Sequence, residues 1–167
     1  MNLVEGRIRV IGCGRSHRCD DQAGLLIAAE VSALRLEGVE VLVSEAPAAD
    51  VVADLDGVDL LIVADAAAPS ADRAPGTWER IDYARHPERI RRRDAGDSHT
   101  LSVDCGLNLA SMLGWLPREV WVYAVTIAEA GFGEEMTPAV ERAVAGIARQ
   151  IASDIAAWRA GRERACA

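Results

Sequence analysis

Residues 60–64 read LLIVA, five apolar positions in a row followed at once by Asp65. A strand with one wet face alternates polar and apolar side chains, so an unbroken apolar run needs cover on both faces, the condition of a central strand in a parallel sheet. The rest of the chain supplies that cover. Residues 7–12 (RIRVIG) predict a first strand, and a turn after it leads to a helix over about 22–37. The buried stripe of that helix is predicted as Ala23, Ile27, Val31 and Leu34, with Gly38 placed to end it. Residues 39–43 (VEVLV) predict a second strand and 48–55 a short helix. Pro75-Gly76 marks a turn before 77–83, a further strand of undetermined direction at a sheet edge. Arg85, Arg89, Arg91, Arg92 and Arg93 gather in 84–98 among few apolar groups, which predicts a surface loop. A helix with Val103, Leu107, Ala110 and Leu113 on one side then runs to Gly114, and 119–126 (EVWVYAVT) forms the last strand. Thr137-Pro138 opens a final helix that turns Val140, Val144, Ile147, Ile151, Ile155 and Trp158 inward. This order predicts an α/β fold: a three-layer sandwich with a mostly parallel, five-stranded twisted sheet and helices on both faces. No repeat or linker divides the pattern, so 1–167 reads as one domain.

Composition narrows the functions open to such a fold. A net charge of −8 argues against nucleic acid as a partner, since binding to phosphates needs a concentrated basic surface. No apolar run approaches the roughly 20 residues of a membrane span. The opening residues lack the apolar stretch of a secretory signal, which gives the expectation of a cytoplasmic protein. Cys13, Cys19, Cys105 and Cys166 include no C-x-x-C pair and are expected to be reduced thiols.

Several chemical signatures fail. Gly12-x-Gly14 stands between a strand and a helix, as a dinucleotide-binding turn does, but the third glycine position is His17 and no acid follows about 20 residues on at a strand end. Those glycines are expected to serve a tight turn. Ser98, His99 and Asp104 could be imagined as a nucleophilic set; Ser98 and His99 are adjacent, and no elbow exposes a nucleophile. What remains is the placement of isolated polar residues. Asp65 follows the most apolar strand, and Asp20 and Asp21 close the loop leaving the first strand. Both points lie at the carboxyl edge of a parallel sheet, where α/β proteins place their ligands. His99 precedes a helix and can reach the same edge, giving two oxygens and one nitrogen for a borderline divalent metal such as Ni or Zn. An aspartate at a helix start is also commonly a cap, one after a strand commonly finishes a turn, and a lone histidine is commonly an ordinary surface or core residue. His17 and His86 are read as loop residues.

At these positions the chain resembles the hydrogenase maturation endopeptidases, a family that trims the C-terminal extension from the large subunit of nickel–iron hydrogenases after nickel insertion. The likeness runs through RIRVIGCGRSHRCDDQAG, similar to the family's strand, G-x-G turn and D-D/E-x-x-G. It continues in LLIVADAAAPSADRAPGTW, similar to V-x-D-A followed by P-G-T; in DSHTLSVDCGLNLASMLG, similar to S-x-H before a helix; and in MTP, similar to L-T-P before the last helix. Carried over by position, the resemblance implies Asp21, Asp65 and His99 as metal-ligating and catalytic residues. Asp20 becomes a cap or supporting carboxylate, and Ser98 or Thr100 orients the imidazole. It implies as substrate and partner the large-subunit precursor, whose own nickel is the recognition element, with Zn or Cd able to stand in for it in crystals. A rival reading keeps the same residues in a nickel-sensing maturation chaperone that does not cut. The chain departs from the family at Arg15, where Asn is usual, and at Ser44-Glu45-Ala46-Pro47, where a Gly-rich turn is usual.

Overall fold

The computed structural model describes residues 6–91 and 102–166. Its strands are β1 (Arg7–Cys13), β2 (Val39–Ser44), β3 (Val58–Ala67), β4 (Trp78–Asp82) and β5 (Glu119–Thr126), joined in one sheet in the order β2-β1-β3-β5-β4. β1, β2, β3 and β5 run parallel, while β4 pairs antiparallel with β5 at the edge. The central place of β3 follows from its composition: Leu60, Leu61, Ile62, Val63 and Ala64 are all at 0% exposure, as both-face cover demands.

Two apolar layers provide that cover. On one face, Ala23, Ile27 and Val31 of α1 (Ala23–Ala33) pack with Val140, Val144, Ile147, Ile151, Ile155 and Trp158 of the long α5 (Pro138–Cys166). On the other lie Val51, Val52 and Leu55 just after the short α2 (Pro47–Asp50), Ile90 of α3 (Pro87–Arg91), and Val103, Leu107 and Ala110 of α4 (Val103–Leu113). Each such aliphatic side chain stabilises the fold by about 1.5–3 kcal/mol through burial alone. The architecture is the three-layer α/β sandwich that the hydrophobic pattern predicts.

Three local expectations are corrected. The first helix ends at Ala33, and Leu34 is 44% exposed. Leu36 packs on the core in its place. A continued helix would carry position 36 away from the stripe of Ile27 and Val31, so the chain leaves the helix first, with Arg35 taking a left-handed φ of 49°. Leu113, the last residue of α4 before its Gly114 cap, is likewise 46% exposed. The arginine-rich stretch expected as a loop contains α3, because Ile90, 3% exposed, anchors one helical turn on the core. There Arg85 pairs with Asp82 at 3.4 Å and Arg89 donates to Glu79, so both cations are engaged within the chain.

Candidate active site

The site is built at the carboxyl edge of the sheet, where β1, β3 and β5 end side by side. After β1 the chain turns through a 3-10 segment, Cys19–Gln22, directly into α1. The glycines of the opening motif fix this turn in two different ways. Gly12 lies within β1 against α1, where a Cβ would stand 2.1 Å from the Gly24 carbonyl oxygen; a Cβ on Gly24 would stand 2.1 Å from the Cys13 carbonyl oxygen. Strand and helix therefore touch backbone to backbone, and this close approach, not a turn, is the reason for Gly12. Gly14 does make the turn, at φ +154°, with its α-carbon against the carbonyl of Asp21.

Asp20 and Asp21, adjacent in sequence, do different work. Asp20 is at 0% exposure and makes no cap on α1. Its carboxylate reaches across the edge to the far end of the chain. Oδ2 accepts from the N–H of Ala128 (2.9 Å) and Glu129 (3.2 Å) and from the Thr137 hydroxyl (3.0 Å), and Oδ1 accepts from the Thr137 N–H at 2.7 Å. It thus caps the opening of α5 and holds the β5–α5 connection. The cap expected on the helix that follows Asp20 in sequence is made instead on one more than a hundred residues away. At 0% exposure, the Asp20 carboxylate spends its four accepted bonds within the chain.

The two connections are clasped further. Cys19 N–H donates to Gly133 O at 2.9 Å and Gly133 N–H to His17 O at 3.0 Å, while the Arg18 guanidinium lies 3.7 Å from the Phe132 ring centroid. His17 pairs with Glu134 at 3.1 Å, an exposed contact that fits its reading as a loop residue. Because β1 and β5 flank β3 in the sheet, this clasp joins the connections leaving the strands on either side of β3. It costs backbone strain: His17 and Cys19 sit at φ 59° and 47°, a region L-residues seldom occupy. Burial pushes the Cys19 thiol up from its ordinary range, and the nearby carboxylates of Glu129, Asp20 and Glu135 add to the rise.

Asp21 stands on the 3-10 turn with its side chain 17% exposed, and its Oδ2 accepts from Nε of Arg15 at 2.7 Å. Asp65 follows the buried core of β3 and is half-buried, its Oδ1 accepting from the N–H of Ala66 at 2.9 Å. Strand alternation turns Asp65 to the α2/α4 face, into a depression lined by Val122, Ala124, Ile90 and Val103. The 3-10 turn packs against β3, so the structure brings the two elements bearing Asp21 and Asp65 together at one edge. His99, Ser98 and Thr100 lie outside the described residues, and among the described residues no three His, Cys, Asp or Glu side chains close into a metal-holding group.

The sequence reading missed the pairing of Arg15 with Asp21 and the burial of Arg9. Arg9 is 2% exposed within β1, where its guanidinium donates to Glu40 at 2.7 Å and to the carbonyls of Ala53 and Asp54, both at 2.8 Å. The acid opposite it on β2, Glu40, was the available signal, since the two are register partners.

A family model described as hydrogenase maturation protease (HycI) matches residues 31–154, a stretch that takes in Asp65 and position 99 and begins after Asp21. No curated protein matches the chain. Among solved structures, the chain is similar to the hydrogenase maturating endopeptidase HybD from E. coli, with 22% identity and a TM-score of 0.69, over 89% of this chain and 91% of that one. An endopeptidase from Escherichia coli, solved in solution, is 24% identical with a TM-score of 0.71, over 87% and 89% of the two chains. The [NiFe] hydrogenase maturation protease HycI from Thermococcus kodakarensis KOD1 is 19% identical with a TM-score of 0.65, over 90% and 92%. These likenesses establish a shared fold.

Proposed function

The chain belongs to the hydrogenase maturation protease family, and from that premise we propose that it removes the C-terminal extension of a nickel-loaded large-subunit precursor of a nickel–iron hydrogenase. In this reading Asp21, Asp65 and His99 grasp the nickel that the precursor already carries, so the ion is part of the substrate and places the scissile bond. The observation that carries the reading is the delivery of Asp21 and Asp65, on touching elements, to the carboxyl edge of β3. Two carboxylates and an imidazole suit a borderline dication and leave coordination positions open.

A substrate nickel held there lowers the hydrolytic barrier by polarising the scissile carbonyl or by acidifying an attacking water, either worth several kcal/mol. The chain's own residues supply orientation. The Asp20 clasp and the Gly12–Gly24 contact hold the 3-10 turn on which Asp21 stands.

The test is to incubate the purified protein with nickel-loaded and nickel-free precursor and to follow the mass of the large subunit. Shortening of the loaded precursor alone is expected. Unchanged mass in both samples would exclude cleavage and favour the non-cutting chaperone, and shortening of both would exclude nickel as the recognition element.

A further inference from the structure

The connection after β5 holds one aromatic ring out in solvent. Phe132 is 86% exposed, the most of any large apolar side chain among the described residues. The backbone that carries it is fixed from several sides. Gly133 N–H donates to His17 O at 3.0 Å, its carbonyl accepts from Cys19 N–H at 2.9 Å, and the Glu134 carbonyl accepts from Gln22 Nε2 at 2.8 Å. Gly133 takes φ +153°, and a Cβ there would stand 3.0 Å from Cys19 Sγ, so the connection lies flush on the 3-10 segment. The Asp20 carboxylate holds its start at Ala128 and Glu129. Over the ring lies the Arg18 guanidinium, 3.7 Å from the centroid, which covers one face and leaves the other face and the edge outward. A phenyl ring left in water contributes little to folding, yet this one is held by a clasp that keeps His17 and Cys19 in strained, left-handed backbone. Aromatic and arginine side chains are the ones enriched where proteins meet.

Resting on the reading of a hydrogenase precursor as the substrate, we infer that Phe132, set in place by Arg18, is an anchor by which this chain docks that precursor, and that it enters an apolar pocket with a basic rim on the precursor's large subunit. The place follows from the backbone. Arg18 O accepts from the Asp21 N–H at 3.0 Å, so a protein that comes to the sheet edge at Asp21 meets the clasp bearing Arg18 and Phe132. The chemistry follows from the charges. Glu129, Glu134 and Glu135 stand within three residues of the ring and are all exposed, against the one guanidinium of Arg18. The surroundings of the ring are therefore acidic and complement a basic rim. Because the clasp and the guanidinium fix the ring before contact, docking costs little side-chain freedom, and one residue can carry a large share of the binding energy.

Interferometry on immobilised nickel-free precursor measures docking apart from cleavage, for the full chain and for its Phe132→Ala, Phe132→Tyr and Glu134→Gln/Glu135→Gln variants, with thermal melts to verify folding. The parent should bind, Phe132→Ala should weaken binding about tenfold, and Phe132→Tyr, which keeps the ring, should stay within about threefold of the parent. The double glutamine variant should slow association about threefold and make it less sensitive to salt. On nickel-loaded precursor, kcat/KM of Phe132→Ala, followed by the mass of the large subunit, should fall by the same factor of about ten. Binding by Phe132→Ala within about twofold of the parent, or no binding by the parent, overturns the inference; if the parent still shortens the loaded precursor, the protease reading survives it. Loss of self-association by Phe132→Ala in sedimentation, with precursor binding unchanged, also overturns it and assigns the ring to a second copy of the chain. A parent that neither binds nor cuts either form of the precursor removes the substrate reading and this inference together.

Discussion

Replacing Asp20 by Asn separates a structural carboxylate from a chemical one. The carboxylate accepts four bonds from three residues, Ala128, Glu129 and Thr137. An amide of the same shape must direct its NH2 at one of them. The cheapest orientation sets it against the Thr137 N–H, the single donor at Oδ1, and leaves the amide oxygen facing the other three. One charge-assisted bond is then lost outright and three become neutral ones. With bonds to charged groups worth about 1.5–3 kcal/mol and neutral ones about 1 kcal/mol, and with the Ala128 and Glu129 N–H groups able to turn to water, the net cost is roughly 2–4 kcal/mol. For a chain of this size that lowers Tm by roughly 5–15 °C. Calorimetry measures the shift, and hydrogen exchange should show faster exchange over residues 128–137. An unchanged Tm together with lost cleavage would refute the reasoning, because it would mean that Asp20 acts on substrate and not as the clasp between the two connections.

Other perturbations follow from the same geometry. Gly24→Ala places a Cβ 2.1 Å from the Cys13 carbonyl oxygen and 2.4 Å from that of Ala64, neither of which can yield, and should cost about 3 kcal/mol in urea unfolding. Gly146→Ala, with open space at its Cβ inside α5, should stabilise by about 0.5–1 kcal/mol. Burial, helped by the bond from Tyr123 to Asp154 at 2.5 Å, raises the Tyr123 phenol above its ordinary value of 10.0. The folded state therefore prefers the protonated phenol: its contribution is complete below pH ~10 and is lost as pH rises beyond it, by up to about 1.4 kcal/mol per pH unit. Tyr123→Phe should flatten this alkaline decline in a pH series of denaturation curves and cost about 1–2 kcal/mol at neutral pH. Among Cys13, Cys19 and Cys105, iodoacetamide should label the exposed Cys105 first and Cys19 slowly, read by peptide mass.

The sheet was legible because its strands differ in kind. The unbroken run of β3, the early position of β1 and the alternation of β4 each carry a distinct hydrophobic pattern, and the stripe of α5 repeats at helical spacing over six apolar positions from Val140 to Trp158. The end of α1 was not legible, since Leu34 and Leu36 are alike in type and only the tertiary core selects Leu36. The nearness of Asp21 and Asp65 to one sheet edge was legible because the strands of a parallel sheet end on one side, although β3 runs past Asp65 to Ala67 and Asp65 is therefore a residue of the strand and not the one after it. The use of Asp20 was not, as its partners lie more than a hundred residues along the chain and a sequence shows only the nearest helix as a candidate for capping. Arg15 showed itself in sequence only as a departure from a motif; its contact with Asp21 depends on a turn held by Gly14 and by the end of β2.

The claim on which the functional account stands is that Asp21, Asp65 and His99 meet around one dication. Anomalous diffraction at the zinc edge, from crystals grown with Zn2+, tests it directly. The account predicts a single strong peak at about 2.0–2.2 Å from a carboxylate oxygen of Asp21 and of Asp65 and from an imidazole nitrogen of His99. A peak ligated by other residues, with these three side chains out of reach of one another, would contradict it.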